Sequence, residues 1–354
     1  MTVMGKRVLV TGGAGFIGSH LVERLLPQGN HVTVIDNFND FYDVGIKREN
    51  VAPFLVYPNF RLIEGDIRSP VDLEKTFEGG PFDVVVHLAA MAGVRPSIQE
   101  PSTYMDVNVL GTQRLLDKIM PSAKHTLMVF GSSSSVYGER EVERFSESDP
   151  TGRPLSPYAA SKMAGEMICH SFRVATGLNV VCLRFFTVYG PRQRPDLAIH
   201  KFCKLIDDGR PIDVYGDGNT LRDYTYVLDI VTGVERAMEL QQPGFEVINL
   251  GRSEPVRLLD MIAEIEKHLG KKARLVYKPM QTGDVTNTFA AVDKAKEILN
   301  FEPSTPFEEG ISEFVKWYRS RGDFAPLSGG DSTSLQGLDS TRYPNLYLIA
   351  DRLA

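Results

Sequence analysis

The sequence predicts an α/β fold, in which a doubly wound parallel sheet is followed by a smaller C-terminal α/β lobe. Strand-like and helix-like segments alternate through the first half of the chain. The strand-like segments are short and nearly continuous apolar runs, which is typical of strands covered by helices on both faces. A glycine-rich turn joins the first strand to the first helix. We therefore expect a ligand crevice at the carboxyl ends of the strands.

The order of these segments predicts where the chain divides. Helices are expected over 16–26 and near 102–120 and 157–175, between strands over 8–10, 32–35, 60–63, 84–88, 127–130 and 180–185. After about residue 187 the pattern changes, since Gly, Pro and Arg cluster over 189–195 and shorter elements follow. We expect one domain over 5–187, a smaller lobe over 188–321 interleaved with the end of the sheet, and a loosely held tail over 322–354.

Composition and charge narrow the class of function. The net charge of −6 provides no broad basic field, so we expect neither nucleic acid nor a membrane as a partner. The three cysteines are far from any C-x-x-C spacing, which predicts free thiols and no metal site. No apolar run approaches the ~20 residues that span a bilayer. The first strand begins too early to leave room for a signal peptide, so we expect a cytoplasmic protein.

The glycine-rich turn reads T-G-G-A-G-F-I-G over residues 11–18, between the first strand and the first helix. Glycine lets the backbone approach a pyrophosphate, and the helix N-terminus supplies free N–H groups. Asp36 closes the second strand, where its carboxylate would accept hydrogen bonds from adenosine ribose hydroxyls and repel a 2′-phosphate. This predicts a Rossmann-type domain that binds NAD rather than NADP.

Two alternatives stand beside this dinucleotide hypothesis. The turn could be an ordinary helix cap with a surface Asp36, and Asp66 after the third strand could be either a turn residue or an adenine contact. We predict cofactor contacts at Gly12, Gly15, Phe16, Ile17, Gly18, Asp36, Asn37, Asp66 and Ile67.

A second cluster has the residue types of a proton-transfer site. Ser156 and Pro157 are typical of a helix start, which places Tyr158 and Lys162 one turn apart on one helical face. The helix N-terminus, the ammonium and a cationic nicotinamide would all make the phenol easier to ionise, so that it can act as a general base. Taken alone, an exposed helical Tyr and Lys would be the simpler interpretation.

An upstream apolar strand supports the catalytic interpretation, because it ends in G-S-S-S-S-V-Y over 131–137. Hydroxyls at the end of a strand lie at the ligand side of such a sheet, and one of them can share a proton with Tyr158. The alternative interpretation of a serine run, a flexible turn, is less favoured directly after a strand.

With these motifs the sequence resembles the extended short-chain dehydrogenase/reductase family over about residues 5–320. The resemblance is carried by residues 11–18, 65–66, 87–90, 108–112, 132–138, 158–162 and 222–227. It implies that Ser133, Tyr158 and Lys162 form the catalytic set and that Lys162 also holds the nicotinamide ribose. It further implies cofactor contacts at Leu88, Ala89 and Ala90, a pyrophosphate contact at Arg222 and a nucleotide-ribose contact at Asp284.

Within that family the chain resembles the UDP-glucuronate 4-epimerases, through residues 92–95, 183–196 and 281–285. UDP-glucose 4-epimerases usually carry Asn where Thr187 stands and Arg where Gln281 stands. The 4,6-dehydratases carry Asp-Glu where Ser134 and Ser135 stand, and uronate decarboxylases keep a carboxylate at the second position. The resemblance therefore implies epimerisation without elimination or loss of CO₂.

The resulting hypothesis is an NAD-dependent 4-epimerase acting on a UDP-hexuronic acid. The alternatives are a UDP-glucose or UDP-N-acetylglucosamine 4-epimerase and, from another class, a non-catalytic NAD-binding regulatory protein. The resemblance also implies a homodimer formed through the stretches near 102–120 and 157–175. We predict substrate contacts at Gly93, Arg95, Ser134, Ser135, Thr187, Arg194, Arg222 and Asp284.

Overall fold

A computed structural model describes residues 4–139, 144–279 and 287–321. Its strands are β1 (Arg7–Thr11), β2 (His31–Asp36), β3 (Phe60–Glu64), β4 (Val84–His87), β5 (Leu127–Ser133), β6 (Asn179–Phe185), β7 (Thr187–Tyr189), β8 (Pro211–Tyr215), β9 (Leu221–Tyr226), β10 (Phe245–Leu250), β11 (Pro255–Arg257) and β12 (Arg274–Lys278). The six strands predicted in the first half are all present.

The helices between these strands are α1 (Phe16–Leu25), α2 (Val44–Val51), α3 (Pro70–Phe77), α4 (Val94–Gln99), α5 (Pro101–Met105), α6 (Gly111–Ile119), α7 (Pro157–Thr176), α8 (Ala198–Asp207), α9 (Val227–Met238), α10 (Leu258–Leu269), α11 (Asp293–Leu299) and α12 (Phe307–Ser320). Within the described ranges, no helix combines the length and the apolar character needed to cross a bilayer.

Seven strands form one parallel sheet in the order β3-β2-β1-β4-β5-β6-β10. The chain runs outward from β1 to β3 and then crosses over to β4, so the topological switch point lies between β1 and β4. A crevice opens there because the loops after these two strands lead in opposite directions. The predicted doubly wound parallel sheet is confirmed.

The central strands are buried because their side chains are apolar on both faces. Leu9, Val85, Met128 and Val180 belong to one core cluster that also includes residues of α6 and α7. Strand β10 comes late in the sequence but pairs in parallel with β6. The second half of the chain is thus interleaved with the end of the sheet, and it adds a three-stranded sheet, β11-β9-β7, and the pair β12-β8.

The helix predicted near 102–120 is interrupted. A π-helical turn over Asp106–Leu110 separates α5 from α6. The Asn108 amide exchanges two hydrogen bonds with the Met91 backbone, at 2.8 and 2.9 Å, and also donates to the Ser161 hydroxyl at 2.9 Å. These tertiary contacts explain why the amide turns inward here, which a local helical pattern cannot predict.

Candidate functional site

A cavity of about 360 Å³ opens at the carboxyl ends of the parallel strands, beside the switch point. Its size falls in the range of small-molecule and cofactor sites. It brings together all of the predicted cofactor contacts, the predicted catalytic set and two of the predicted substrate contacts. These are Gly12, Gly15, Phe16, Ile17, Gly18, Asp36, Asn37, Asp66, Ile67, Leu88, Ala89, Ala90, Ser133, Tyr158, Lys162, Thr187 and Arg194.

The glycine-rich turn is shaped by close backbone packing. Gly12 has φ +72°, and a Cβ there would lie 2.8 Å from the Ala89 backbone nitrogen. A Cβ at Gly18 would lie 2.3 Å from the Gly12 carbonyl oxygen. Helix α1 begins directly after Gly15, so its first N–H groups face the cavity without partners inside the helix. This geometry is that of an anion-binding helix N-terminus.

Asp36 ends β2 in the wall of the cavity, where only 7% of the residue remains exposed. Its carboxylate accepts hydrogen bonds from the backbone N–H groups of Ala14, at 3.1 Å, and Phe38, at 2.9 Å. Burial raises the pKa of Asp36, against the opposing effects of Lys47 and these two bonds. A carboxylate has about four acceptor positions, so two remain for a ligand's hydroxyls.

Asp66 follows β3 and is held by a cationic neighbour. The Arg68 guanidinium donates to both of its oxygens, at 3.0 and 2.8 Å, and the Asn37 amide donates at 2.9 Å. Burial alone would raise the pKa of Asp66, but the bonds from Arg68 and Asn37 outweigh it and lower the pKa to about 2. The carboxylate therefore stays ionised at neutral pH.

A chain of hydrogen bonds runs beneath the glycine-rich turn. The Thr112 hydroxyl donates to the Asn108 carbonyl at 2.6 Å and so accepts from His87 Nε2, 2.9 Å away. His87 Nδ1 then accepts from the Thr11 hydroxyl at 2.6 Å, and Thr11 accepts from the Ala89 N–H. Burial lowers the pKa of His87 to about 3, so this histidine is neutral. This series of hydrogen bonds connects the end of β1 to the loop that follows β4.

The predicted catalytic residues converge at the end of β5. As predicted, the Ser156 side chain caps α7 through the Ala159 N–H, at 3.1 Å, with Pro157 in the first helical position. This helix start brings the Tyr158 phenol and the Ser133 hydroxyl together in the cavity wall, where Ser133 favours the ionised phenol. The Lys162 ammonium donates to the Gly131 carbonyl at 2.7 Å and lies 6.0 Å from the centre of the Tyr158 ring.

Burial of this pair opposes the acidification expected for the Tyr158 phenol. Burial raises the pKa of Tyr158, and it outweighs the Ser133 hydrogen bond and the Arg194 guanidinium, which both lower it. Burial also lowers the pKa of Lys162 to about 8, although Glu166 opposes this effect. The expected acidification of Tyr158 therefore does not come from the protein's own groups, because burial has the larger effect.

A buried ion pair lies behind the predicted catalytic residues. Glu166 is one turn beyond Lys162 in α7, and both of its carboxylate oxygens accept from Arg184 of β6, at 2.9 and 2.8 Å. The Ser132 hydroxyl donates to the same carboxylate at 2.5 Å. Glu166 is therefore engaged in joining α7 to β5 and β6. Among the described residues lining the cavity, the carboxylates are Asp36 and Asp66, both next to β2 and β3.

Several predicted substrate residues lie outside the cavity lining. Ser134 and Ser135 belong to a short 3₁₀ turn after β5, and the Ser135 hydroxyl donates to Ser133 at 2.9 Å. Arg95 lies in α4 with its guanidinium 5.3 Å from the centre of the Tyr215 ring, and Gly93 precedes that helix. Arg222 lies in β9. Asp284 and Gln281 lie outside the described residues.

The cavity also contains residues that sequence reasoning missed. Tyr42 and Phe41 come from the loop after β2, Lys47 comes from α2, and Arg68 follows Asp66. The Lys47 ammonium donates to the Asn39 carbonyl at 2.6 Å and lies 4.9 Å from the centre of the Tyr42 ring. Their position in the sequence could have identified them, because a loop that follows the strand carrying Asp36 must pass over the ligand side of the sheet.

Comparisons with known proteins agree with this geometry. The family model described as GDP-mannose 4,6 dehydratase matches residues 9–314. UDP-glucuronate 4-epimerase of Thermodesulfobacterium geofontis is 40% identical, over 87% of this chain and 95% of that protein. The structure of UDP-glucuronic acid 4-epimerase from Bacillus cereus, in complex with UDP-glucuronic acid and NAD, is 36% identical, with a TM-score of 0.83 over 89% of this chain and 99% of that one.

A relative with a different sugar in its name is also similar. The UDP-glucose 4-epimerase of Thermus thermophilus, solved in complex with NAD, is 34% identical with a TM-score of 0.79, over 88% of this chain and 99% of that one. Sequence motifs, family model and fold thus agree over most of the chain. The protein belongs to the GDP-mannose 4,6-dehydratase family, within the extended short-chain dehydrogenases/reductases.

Proposed function

We propose that this protein is an NAD-dependent 4-epimerase that interconverts UDP-glucuronate and UDP-galacturonate through a transient 4-keto intermediate. The observation that carries the proposal is that one cavity joins the glycine-rich turn and Asp36 to Ser133, Tyr158 and Lys162. The similarity to UDP-glucuronate 4-epimerases of two bacteria supports the choice of substrate.

The glycine-rich turn fits NAD, because backbone contacts leave no space for a Cβ at Gly12 or Gly18 while α1 directs free N–H groups outward. Asp36 has acceptor positions left for the adenosine ribose hydroxyls, and Lys162 is the candidate for the nicotinamide ribose. NAD, when bound, supplies the positively charged ring that accepts a hydride from C4 and returns it.

Proton transfer falls to the residues at the end of β5. Tyr158 takes the proton of the 4-hydroxyl group, and Ser133 holds the same oxygen through a hydrogen bond. After the 4-keto sugar turns about its diphosphate linkage, the hydride is added to the opposite face of C4, and Tyr158 returns the proton to the C4 oxygen. Arg222 suits the fixed diphosphate, since a guanidinium can bind phosphate oxygens bidentately.

The orientation of the sugar's carboxylate must be controlled, because a 4-keto uronate is a β-keto acid and tends to lose CO₂. We assign it to hydroxyl and backbone groups: Thr187, Ser134, Ser135 and the backbone near Gly93. Arg95 and Arg194 remain candidates for the carboxylate or the diphosphate, and Asp284 for the nucleotide ribose. The described carboxylates of the cavity wall lie at the Asp36 end, so elimination of water has no evident base near Tyr158.

The test is to incubate the purified protein with UDP-glucuronate without added reductant and to identify the product by NMR. We expect UDP-galacturonate of unchanged mass. If UDP-galactose forms readily from UDP-glucose while UDP-glucuronate is untouched, the choice of substrate is wrong. The second candidate function, a UDP-glucose 4-epimerase, is supported by the similarity to the Thermus thermophilus enzyme. Binding of NAD without turnover of any sugar nucleotide would favour a regulatory protein instead.

We also propose a cytoplasmic homodimer, in which residues 5–187 form the NAD-binding domain that also carries the catalytic residues and 188–321 form the substrate-binding lobe. Apolar side chains on the stretches near 102–120 and 157–175 support the dimer. Met167 and Val174 of α7 are 62% and 74% exposed, and Leu110 and Met120 are also exposed. Replacing Met167 by Lys should shift the molar mass in light scattering towards the monomer. An unchanged molar mass of the dimer would show that the interface lies elsewhere on the surface.

A further inference from the structure

Residues 190–196, which we call the arginine loop, carry Arg194 into the cavity that contains Tyr158. The Arg194 guanidinium makes two parallel hydrogen bonds with Asp196, at 2.9 and 2.8 Å. It also lies 5.4 Å from the centre of the Phe41 ring. These contacts orient the side chain, but they do not explain what holds the loop itself in place.

Helix α1 provides one anchor, and α8 provides another through His200, whose Nδ1 lies 2.6 Å from the Gln193 carbonyl oxygen. Glu23 pairs with Arg192 at 2.9 Å, and His20 Nε2 lies 2.9 Å from the Pro191 carbonyl oxygen. Burial and the nearby Arg192 lower the pKa of His20 to about 4, so the neutral ring donates Nε2–H to that carbonyl. Both contacts lie beyond the N-terminal turn of the same helix that begins at the glycine-rich turn.

The backbone of the arginine loop needs such an anchor. Arg192 has φ +63°, in the left-handed region that residues with a Cβ disfavour. A side chain held by an ion pair at that position keeps the loop from relaxing. The Glu23 side chain is 51% exposed and that of Arg192 is 17% exposed, so the pair is partly screened by water.

We propose that Glu23 and Arg192 are positioning residues, whose ion pair holds the arginine loop on α1 and so keeps the Arg194 guanidinium beside Tyr158. The turnover readout of this inference rests on the proposed epimerase function. No contact between Glu23 or Arg192 and the substrate is required. Their effect passes through the position of Arg194.

The consequence is electrostatic. Tyr158 is faced by Lys162 from its own helix, Ser133 from β5, Tyr104 of α5, whose ring centre is 6.2 Å away, and Arg194 from the arginine loop. Arg194 opposes the effect of burial on the Tyr158 pKa. If the loop relaxes and the guanidinium withdraws, the pKa of Tyr158 rises, and a smaller fraction of the phenol is ionised at neutral pH.

The experiment compares Glu23→Gln and Arg192→Met with wild type in the NAD-loaded enzyme. We expect the acidic limb of the kcat–pH profile to move upward by about half a pH unit, and kcat at neutral pH to fall by about threefold, in line with a partly exposed ion pair. Arg192→Lys keeps the charge and should restore most of the wild-type pH profile and most of kcat at neutral pH. The same titration is read without turnover from the ¹³Cζ resonance of Tyr158 in tyrosine-labelled holoenzyme.

The matched control lies on the same helix. Arg24 of α1 pairs with Glu235 of α9 at 2.6 Å, away from the arginine loop, and Arg24→Met should leave both titrations as in wild type. Unchanged titrations in Glu23→Gln and Arg192→Met, or an equal shift in Arg24→Met, would overturn the proposal. A wild type without epimerase activity would instead contradict the proposed function, and the NMR titration would still decide the role of the ion pair.

Discussion

Tyr158 meets opposing influences that a sequence motif does not weigh. Burial makes its phenol harder to ionise, while the Ser133 hydroxyl and the Arg194 guanidinium make it easier. The Lys162 ammonium, the partner that the motif suggests, is bound to the Gly131 carbonyl. The motif thus predicts which residue acts as the base, whereas the acidity of that phenol depends on residues from two other parts of the chain.

Replacing Tyr158 by Phe removes the hydroxyl and keeps the ring. We expect kcat for UDP-glucuronate to fall by roughly 10²–10⁴-fold, the range for a lost general base, while NAD still binds. Activity is measured by product NMR and cofactor content by absorbance after denaturation. Tyr104→Phe is the control, since that hydroxyl donates to the Ala92 carbonyl. Undiminished turnover in Tyr158→Phe would remove the phenol from the mechanism.

Asp36 allows a test of cofactor choice. Its carboxylate receives two backbone N–H groups and lies near the Lys47 ammonium. Replacing Asp36 by Asn should weaken binding of NAD and narrow its advantage over NADP, because the charge that repels a 2′-phosphate is lost. Calorimetry with each cofactor measures both affinities. An unchanged ratio of the two affinities would show that Asp36 does not read the ribose.

At the scale of elements, α7 supports the candidate catalytic site. Its N-terminus is set by the Ser156 cap and Pro157, and its C-terminus by Gly177 in the left-handed conformation at φ +83°. These local signals explain why the start of this helix could be predicted. The interruption between α5 and α6 could not, because it depends on the contacts of Asn108 with Met91 and Ser161, which lie in other segments.

Loss of the α7 cap should lower the free energy of unfolding and also disturb the site at the start of this helix. Ser156→Ala leaves the Ala159 N–H without its partner, and we expect a loss of about 1 kcal/mol in the free energy of unfolding. Denaturant titration measures this, and Ser156→Asp, which can also cap, should recover most of it. Equal stability of all three proteins would mean that the cap contributes nothing here.

At the scale of the whole molecule, buried histidines predict a loss of stability in acid. Burial lowers the pKa of His87 to about 3 and of His20 to about 4, from about 6.5 in the unfolded chain. Between these values the unfolded state binds more protons, so stability is fully present above pH 6.5 and falls as the pH drops toward 4 and 3.

The measurement is the free energy of unfolding between pH 7 and pH 4. His20→Gln should flatten part of the decline, because Gln does not titrate and can still donate to the Pro191 carbonyl. His31→Gln, which removes a histidine at an exposed position, is the control. A slope that is the same in all three proteins would exclude His20 as a source of the decline.

The sequence by itself determined the parallel α/β fold, the glycine-rich turn with Asp36, and the start of helix α7, because strand burial, tight turns and helix caps depend on residues close together in the chain. Only the tertiary structure decided the pKa of Tyr158, the inward turn at Asn108, the addition of β10 to the sheet, and the entry of Tyr42, Lys47 and Arg194 into the cavity. Burial, charge and hydrogen-bond partners arise from segments that are distant in sequence, and a local sequence pattern does not indicate which of these segments come into contact.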